Sequence, residues 1–235
     1  MTAPSRGEGL GHRIFVRIGV SVLLGKLLRR VWSTRASLSL VREPLVEVPV
    51  AEGFALEIVP PEGFEGLAQL LESSTGADYL FVRNAEFTRL AGAGTISVAR
   101  DEAGQLMAFH FVYEPKDRAA LDRVAPNMFP DLAADEVLTE LVYCVPAFRG
   151  RDLMRQLLHA TGSTLAARGK RRAFAWVDST NTSSLRTFAK AGYVPSGVER
   201  VDRYRFGRYS AAYRDLTATS QRRWDAVVNG RARTA

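Results

Sequence analysis

The sequence predicts an α/β (α+β) fold, in which strands and helices of one domain share a core. The first observation is the stretch 138–158, where an apolar run ends at Pro146 and leucines then recur at helical spacing. The second is a pair of strand-like segments, 95–99 and 105–113, separated by a glycine-containing loop as in a β-hairpin. With 46% hydrophobic residues among 235, the chain has enough apolar material for a full core.

The N-terminal 50 residues are predicted to form a helix and a linker ahead of the main domain. In residues 12–33, apolar residues and arginines recur on different helical faces, which predicts a basic amphipathic helix. Its longest uncharged run, 18–25, is too short to cross a bilayer. Its arginines could meet anionic lipid headgroups, or its apolar face could pack on the domain or on a second subunit. Residues 33–50 lack a helical period and contain two prolines, so a linker is expected there.

The first half of the predicted domain, which spans residues 51–216, begins with a short strand at 54–59. Two helices are expected to follow, at 62–73 and 77–90, before the hairpin. Residues 115–135 then form a long predicted loop with several acidic side chains. Loops of this length are often functional, so this one could overhang a binding cleft, or it could be a solvated surface loop.

The second half of the domain repeats a strand and a helix. A helix is expected from about residue 151 to 168, then a strand at 172–177 and a helix from Asn181 to Gly192. Residues 198–209 are expected to form a last strand or hairpin. Residues 217–235 are basic and predict a helix followed by a tail.

The net charge of +7 is unevenly distributed along the chain. Residues 1–42 carry eight basic and one acidic residue, and residues 199–235 carry nine basic and four acidic ones. The middle, 43–198, holds 15 basic against 20 acidic residues. Nucleic acid is therefore not expected as a partner, because a basic patch would normally lie on the folded body. An acidic body favours a cationic binding partner.

The turn between the central strand and its helix is a candidate anion site. It carries Arg149 and Gly150, and the first amides of a helix lack partners at the positive end of the helix dipole. Asn181 lies 32 residues further on and opens the sequence Asn-Thr-Ser-Ser-Leu-Arg-Thr-Phe-Ala-Lys-Ala-Gly-Tyr. Together these motifs resemble the GNAT superfamily of acetyl-CoA-dependent N-acetyltransferases. There a Pro-x-Tyr-Arg-Gly-x-Gly-x-Gly turn holds the CoA pyrophosphate, and an Asn-x-x-Ala-x-x-x-Tyr-x-x-x-Gly-Phe helix closes the site.

The resemblance implies a mixed, mostly antiparallel central sheet flanked by helices, and acetyl-CoA as a cosubstrate held by main-chain groups. The implied cofactor-binding residues are Tyr143, Cys144, Val145, Arg149, Gly150, Arg151, Asp152, Leu153, Met154, Asn181, Ser184 and Phe188. From the residues alone, the arginines could equally be solvated, Asn181 could cap its helix, and Cys144 could be a small buried hydrophobe.

The sequence departs from the family pattern at three positions. Asp152 and Met154 stand where the turn usually has glycines, and Phe188 stands where the family often has a tyrosine acid. A carboxylate beside a pyrophosphate is unfavourable, so Asp152 is predicted to turn away by capping the N–H groups of its own helix.

Acetyl transfer to an amine requires a base, because alkyl amines are mostly protonated at neutral pH. The resemblance implies Glu140 as this base, while an ion pair is the structural alternative. His110 on the neighbouring strand is the other candidate base or, alternatively, a core residue. With Phe188 lacking a hydroxyl, the thiolate would take its proton from Tyr193, water or the acceptor.

The expected function is thus N-acetyl transfer from acetyl-CoA to a primary amine of a small molecule or a protein. Two alternatives stay open: an acyltransferase with a longer-chain or carrier-bound donor at a membrane surface, and a catalytically degenerate domain that binds or senses CoA. The single cysteine and three scattered histidines offer no metal site. A single cysteine also excludes an internal disulfide framework, which indicates a reducing compartment. A cytoplasmic protein is expected, peripheral to the inner membrane face if residues 12–33 bind lipid.

Overall fold

A computed structural model describes residues 32–47, 55–64, 66–124, 129–205 and 208–230. The predicted basic helix lies outside the described residues except at its last two positions, so its role stays a prediction. Within the described ranges, no helix is both long and apolar enough to cross a membrane.

The described residues form eight strands and six α-helices, and the predicted fold class is confirmed. The strands are β1 Trp32–Arg42, β2 Ala55–Val59, β3 Thr95–Arg100, β4 Leu106–Tyr113, β5 Glu136–Cys144, β6 Arg172–Asp178, β7 Val194–Arg205 and β8 Arg208–Asp215. The α-helices are α1 Gly66–Ser73, α2 Gly76–Leu90, α3 Arg118–Val124, α4 Leu153–Ala167, α5 Thr182–Lys190 and α6 Ala218–Asn229. All strands join one sheet in the order β2-β3-β4-β5-β6-β1-β7-β8, and β5 with β6 is its parallel pair.

Strand β1 corrects the expected linker at residues 33–50. It lies inside the sheet, where Ser37 pairs with Asp178 of β6 and with Arg200 of β7. The sequence Ser-Leu-Ser-Leu at 37–40 alternates with a period of two, and Leu38 and Leu40 are completely buried. The absence of a helical period at these positions is therefore the mark of a strand, not of a linker.

Helices cover both faces of the sheet. Helices α4, α5 and α6 pack on one face, around the buried Leu157, Leu185 and Trp224. Helices α1, α2 and α3 pack on the other, around Phe109 and Phe111 of β4. The two faces are called the α4 face and the α2 face below.

The expected loop at 115–135 is partly helical, which corrects that prediction. A 3-10 turn at Pro115–Asp117 leads into α3, and the chain is described again from Phe129. The Phe129 ring lies 6.3 Å from the ring of Trp176 on the α2 face. Arg118 pairs with Asp122 and Asp131, so two of the acidic side chains are neutralised locally.

Candidate active site

A cavity of about 660 Å³ opens where the turn after β5 meets helices α2, α4 and α5. Ten of the twelve residues implied for cofactor binding line it: Tyr143, Cys144, Arg149, Gly150, Asp152, Leu153, Met154, Asn181, Ser184 and Phe188. Two do not. The Val145 N–H donates to the Met107 carbonyl at 2.9 Å, and the Arg151 guanidinium lies over the Phe148 ring.

The cavity lies where β5 separates from β6 and bulges against β4. Pairing of β5 with β6 stops at Thr139 and Ala175, although both strands continue. On the other side a bulge places Leu141 and Val142 of β5 opposite the single residue His110 of β4. Leu141 has φ 52°, a left-handed conformation that is strained for a leucine and is typical of functional sites.

The turn before α4 uses two left-handed residues. Gly150 has φ 80°, and a Cβ added there would meet nothing within 4 Å. Asp152 has φ 57° at the N-cap position of α4. Because aspartate tolerates this conformation better than most residues, it can replace a glycine at a cost of about 1–2 kcal/mol. The backbone path of a glycine-rich turn is therefore kept.

The Asp152 side chain does not cap α4, which corrects the sequence prediction. Its carboxylate lies 2.5 Å from the Arg155 Nε and 3.2 Å from the Lys190 Nζ. Burial opposes the shift, but the hydrogen bonds from Arg155 and Lys190 lower the pKa of Asp152. The helix ladder starts with the Gln156 N–H bonding the Asp152 carbonyl, so the amides of 153–155 precede it and the carboxylate does not cap them.

Asn181 performs the capping role that the sequence left open. Its side-chain oxygen accepts the Ser184 N–H at 3.1 Å, and both residues line the cavity. Phe188, on the same helix, presents its ring to the cavity and packs edge-on against Tyr193.

The Glu140 carboxyl is buried at the point where β5 and β6 separate. It accepts the N–H groups of Trp176 and Leu141, while its Oε1 has no hydrogen-bond partner among the described residues. Burial raises the pKa of Glu140 to about 7, and the nearby Arg200 guanidinium opposes the rise. A carboxyl group with this pKa can exchange a proton near neutral pH.

The other two candidate catalytic side chains lie in the core. His110 is completely buried on the α4 face, with Nε2 at 3.0 Å from the Thr161 Oγ1. Tyr193 is 3% exposed, and its hydroxyl interacts with the Thr139 side chain. Neither lines the cavity. The structure therefore does not bring His110 or Tyr193 to this cavity, and their roles as base and acid stay predictions.

His110 predicts a pH effect on stability. Burial lowers the pKa of His110 to about 4 from 6.5, so between these pH values the unfolded chain binds a proton that the native chain does not. The free energy of unfolding should therefore fall by about 3 kcal/mol as the pH drops from 6.5 to 4. Urea unfolding of wild type and His110→Gln at pH 7 and pH 4.5 isolates this loss. Equal pH dependence of both proteins would contradict it.

Sequence reasoning missed the wall of the cavity that α2 provides. Ala77, Asp78 and Phe81 line it, although they precede Tyr143 by more than 60 residues. No local motif marks them, since only the packing of α2 on the sheet brings them there. Within the described ranges, no group of three or more His, Cys, Asp or Glu could hold a metal ion.

This arrangement of strands and helices, in which β5 separates from β6 beside a cavity, is similar to that of known structures. The chain matches a GCN5-related glucosamine N-acetyltransferase region of a fungal multi-domain GH3 β-N-acetylglucosaminidase at a TM-score of 0.53, with 14% identity over 83% of this chain. The chain has the GNAT fold. At this identity the match shows the fold alone.

Other solved structures of GNAT proteins are also similar. A structure from Novosphingobium aromaticivorans, described as a GNAT-family acetyltransferase, matches 79% of this chain at 16% identity and a TM-score of 0.49. A GCN5-related N-acetyltransferase from Sphaerobacter thermophilus matches 86% at 17% identity and a TM-score of 0.47, over 70% of its own length. The chain spans 66% of the Novosphingobium protein and 23% of the fungal one. No sequence model of a protein family and no curated protein matches this chain.

Proposed function

We propose that this protein is an acetyl-CoA-dependent N-acetyltransferase that acetylates a primary amine of a small molecule or a protein. The observation that carries the proposal is the turn before α4, whose amides open on the cavity while its carboxylate is engaged elsewhere. The GNAT fold supports acyl transfer in general. The buried carboxyl group of Glu140, at the fork of the same strand, supports direct attack by an amine with a general base.

The cavity fits the donor in charge and in shape. Four cationic side chains line it, from Arg149, Arg155, Arg186 and Lys190, against the two carboxylates of Asp78 and Asp152. The amides of 153–155 and the left-handed Gly150 would receive the diphosphate, because position 150 carries no Cβ and the Asp152 carboxylate is paired with Arg155 and Lys190 instead of the amides. The diverging end of β5 would pair with the pantetheine arm.

When bound, acetyl-CoA supplies an activated acetyl thioester. Glu140, with a pKa of about 7, is deprotonated in a large fraction of molecules at neutral pH and would take the proton of the acceptor amine. Tyr143 supplies the only phenol among the described residues that line the cavity. Burial and the neighbouring Asp78 raise its pKa, so it stays protonated and would return a proton to the leaving thiolate.

Acetyl-CoA binding tests the proposal. A ligand that binds only the native state raises its melting temperature, so micromolar acetyl-CoA should stabilise the full chain. Thiol release from acetyl-CoA should then depend on an added amine, measured across a panel of primary amines. If no melting shift and no binding heat are observed, the proposed function is wrong.

A matched pair of glycine variants locates the donor site. Gly150 and Gly104 both have φ near 80° with open space within 4 Å of the position that a Cβ would take, but Gly104 lies in the β3–β4 hairpin away from the cavity. Alanine should destabilise each protein by a similar amount, about 1 kcal/mol. Only Gly150→Ala should weaken CoA binding, by about tenfold, because its Cβ projects at the diphosphate turn. Equal CoA affinities in calorimetry would contradict this placement.

A second candidate function is a CoA-binding domain without transferase activity. The observation that favours it is the loss of the family's usual acid: Phe188 has no hydroxyl, and Tyr193 is sealed in the core. Full CoA affinity with no amine-dependent thiol release would select this second function.

A further inference from the structure

Arg149 spans the cavity instead of facing solvent. Its Nη2 lies 2.5 Å from the Oδ1 of Asp78, at the start of α2 on the opposite wall. Its Nε donates to the Cys144 carbonyl at 3.0 Å, and its guanidinium lies 5.6 Å from the centre of the Tyr143 ring. Three separate contacts thus fix this side chain across the cavity, although half of its surface is exposed.

The contacts of Arg149 occupy two groups that an acyl donor would bind, its own guanidinium and the Cys144 carbonyl. A guanidinium binds a carboxylate or a phosphate through the same N–H groups, so a diphosphate at the turn would compete with Asp78 for Arg149. The Cys144 carbonyl lies on the diverging part of β5, where a pantetheine arm would pair. Any ligand that fills the cavity along β5 must therefore displace the Arg149 side chain from both partners.

We propose that Asp78 is a positioning residue that holds Arg149 across the donor cavity and thereby weakens the binding of a diphosphate-containing donor. This inference rests on the proposed function and adds an element of control to the same site. Donor binding releases Asp78 from Arg149 and thereby frees the first turn of α2, the helix that also carries Phe81, whose ring stacks 5.3 Å from Tyr143. Donor affinity and the position of α2 are then coupled.

Calorimetric titration of CoA into the full chain and its variants tests the inference. Asp78→Asn should bind CoA at least threefold more tightly than wild type, because Arg149 becomes free for phosphate. Glu86→Gln is the matched control, since Glu86 lies on the same helix, pairs with Arg89 at 2.6 Å and does not line the cavity. Its CoA affinity should be unchanged. Asp78→Ser serves as a second variant if the asparagine protein does not fold.

The double variant Asp78→Asn/Arg149→Gln distinguishes loss of the Asp78–Arg149 contact from the general electrostatic effect of removing a carboxylate. Removing any carboxylate near an anion site favours the anion, whether or not the carboxylate holds an arginine. If the Asp78–Arg149 contact is what weakens CoA binding, Asp78→Asn should not raise the CoA affinity of a protein that already contains Arg149→Gln. A gain that persists in this background, or an unchanged affinity in Asp78→Asn, overturns the inference while the proposed function stands. Failure of wild type and all variants to bind CoA overturns both.

Discussion

A chain that begins at Pro44 is expected not to fold, because it lacks the strand that joins two parts of the sheet. β1 pairs with β6 on one side and with β7 on the other, so its removal opens two ladders at once. It also removes the completely buried Leu38 and Leu40, each contributing about 2–3 kcal/mol. With a total stability of about 5–15 kcal/mol typical of a domain, this loss is decisive.

Circular dichroism and thermal melting of two truncated proteins check this expectation. The protein that begins at Trp32 keeps β1 and should melt cooperatively. The protein that begins at Pro44 should show no cooperative transition. A cooperative melt of the shorter protein would mean that β7 can pair directly with β6. Leu40→Ala in the full chain should give an intermediate effect, a loss of about 2–5 kcal/mol.

Glu140→Gln is expected to lower the amine-dependent turnover by about 100-fold or more, the usual contribution of a general base. CoA affinity should not change, because Glu140 does not line the donor cavity. In wild type the rate should rise with pH through about 7 as Glu140 loses its proton, and this limb should vanish in the variant. Glu136→Gln is the control, since Glu136 lies on the same strand and pairs with Arg172.

Glu140→Gln should also be more stable than wild type in alkaline solution. The pKa of Glu140 is raised from 4.5 to about 7, so native Glu140 binds a proton that the unfolded chain has lost between these values. The free energy of unfolding of wild type therefore falls as the pH rises through this window, by about 3 kcal/mol in total. Urea unfolding at pH 5 and pH 8 should show Glu140→Gln gaining at pH 8 only. A uniform loss of stability would instead indicate a purely structural role.

The sequence is sufficient to predict those parts of the site that are local. Arg149 and Gly150 follow a buried strand directly, and Asn181 precedes its helix, so order along the chain already predicts their place. The orientation of side chains is not predictable in this way. The sequence favours Asp152 as a cap of α4, but its carboxylate pairs with Lys190, which belongs to another helix. His110 and Glu140 lie on neighbouring strands, but the bulge in β5 and the alternation of the strands put them on opposite faces.

Pairing between residues far apart along the chain explains the remaining differences between the sequence predictions and the structure. In sequence β1 resembles a linker because its partners lie more than 130 residues away, and a single strand of alternating serine and leucine is a weak signal by itself. Asp78 gives no signal at all, since its role depends on where α2 packs. Proline and glycine positions, by contrast, predict the ends of most helices and strands to within a few residues.

The central position of β1 has a consequence for how the chain is made. The ribosome produces this strand before any other described element, yet Ser37 must wait for Asp178 and then Arg200 before it is hydrogen-bonded on both sides. Contacts so distant along the chain form slowly, and an unpaired strand offers its edge to other chains in the meantime. Both partners of β1 are therefore synthesised only in the last third of the chain, and until then β1 has no strand to pair with. Chaperone binding to residues 32–42 of the nascent chain is the expected result.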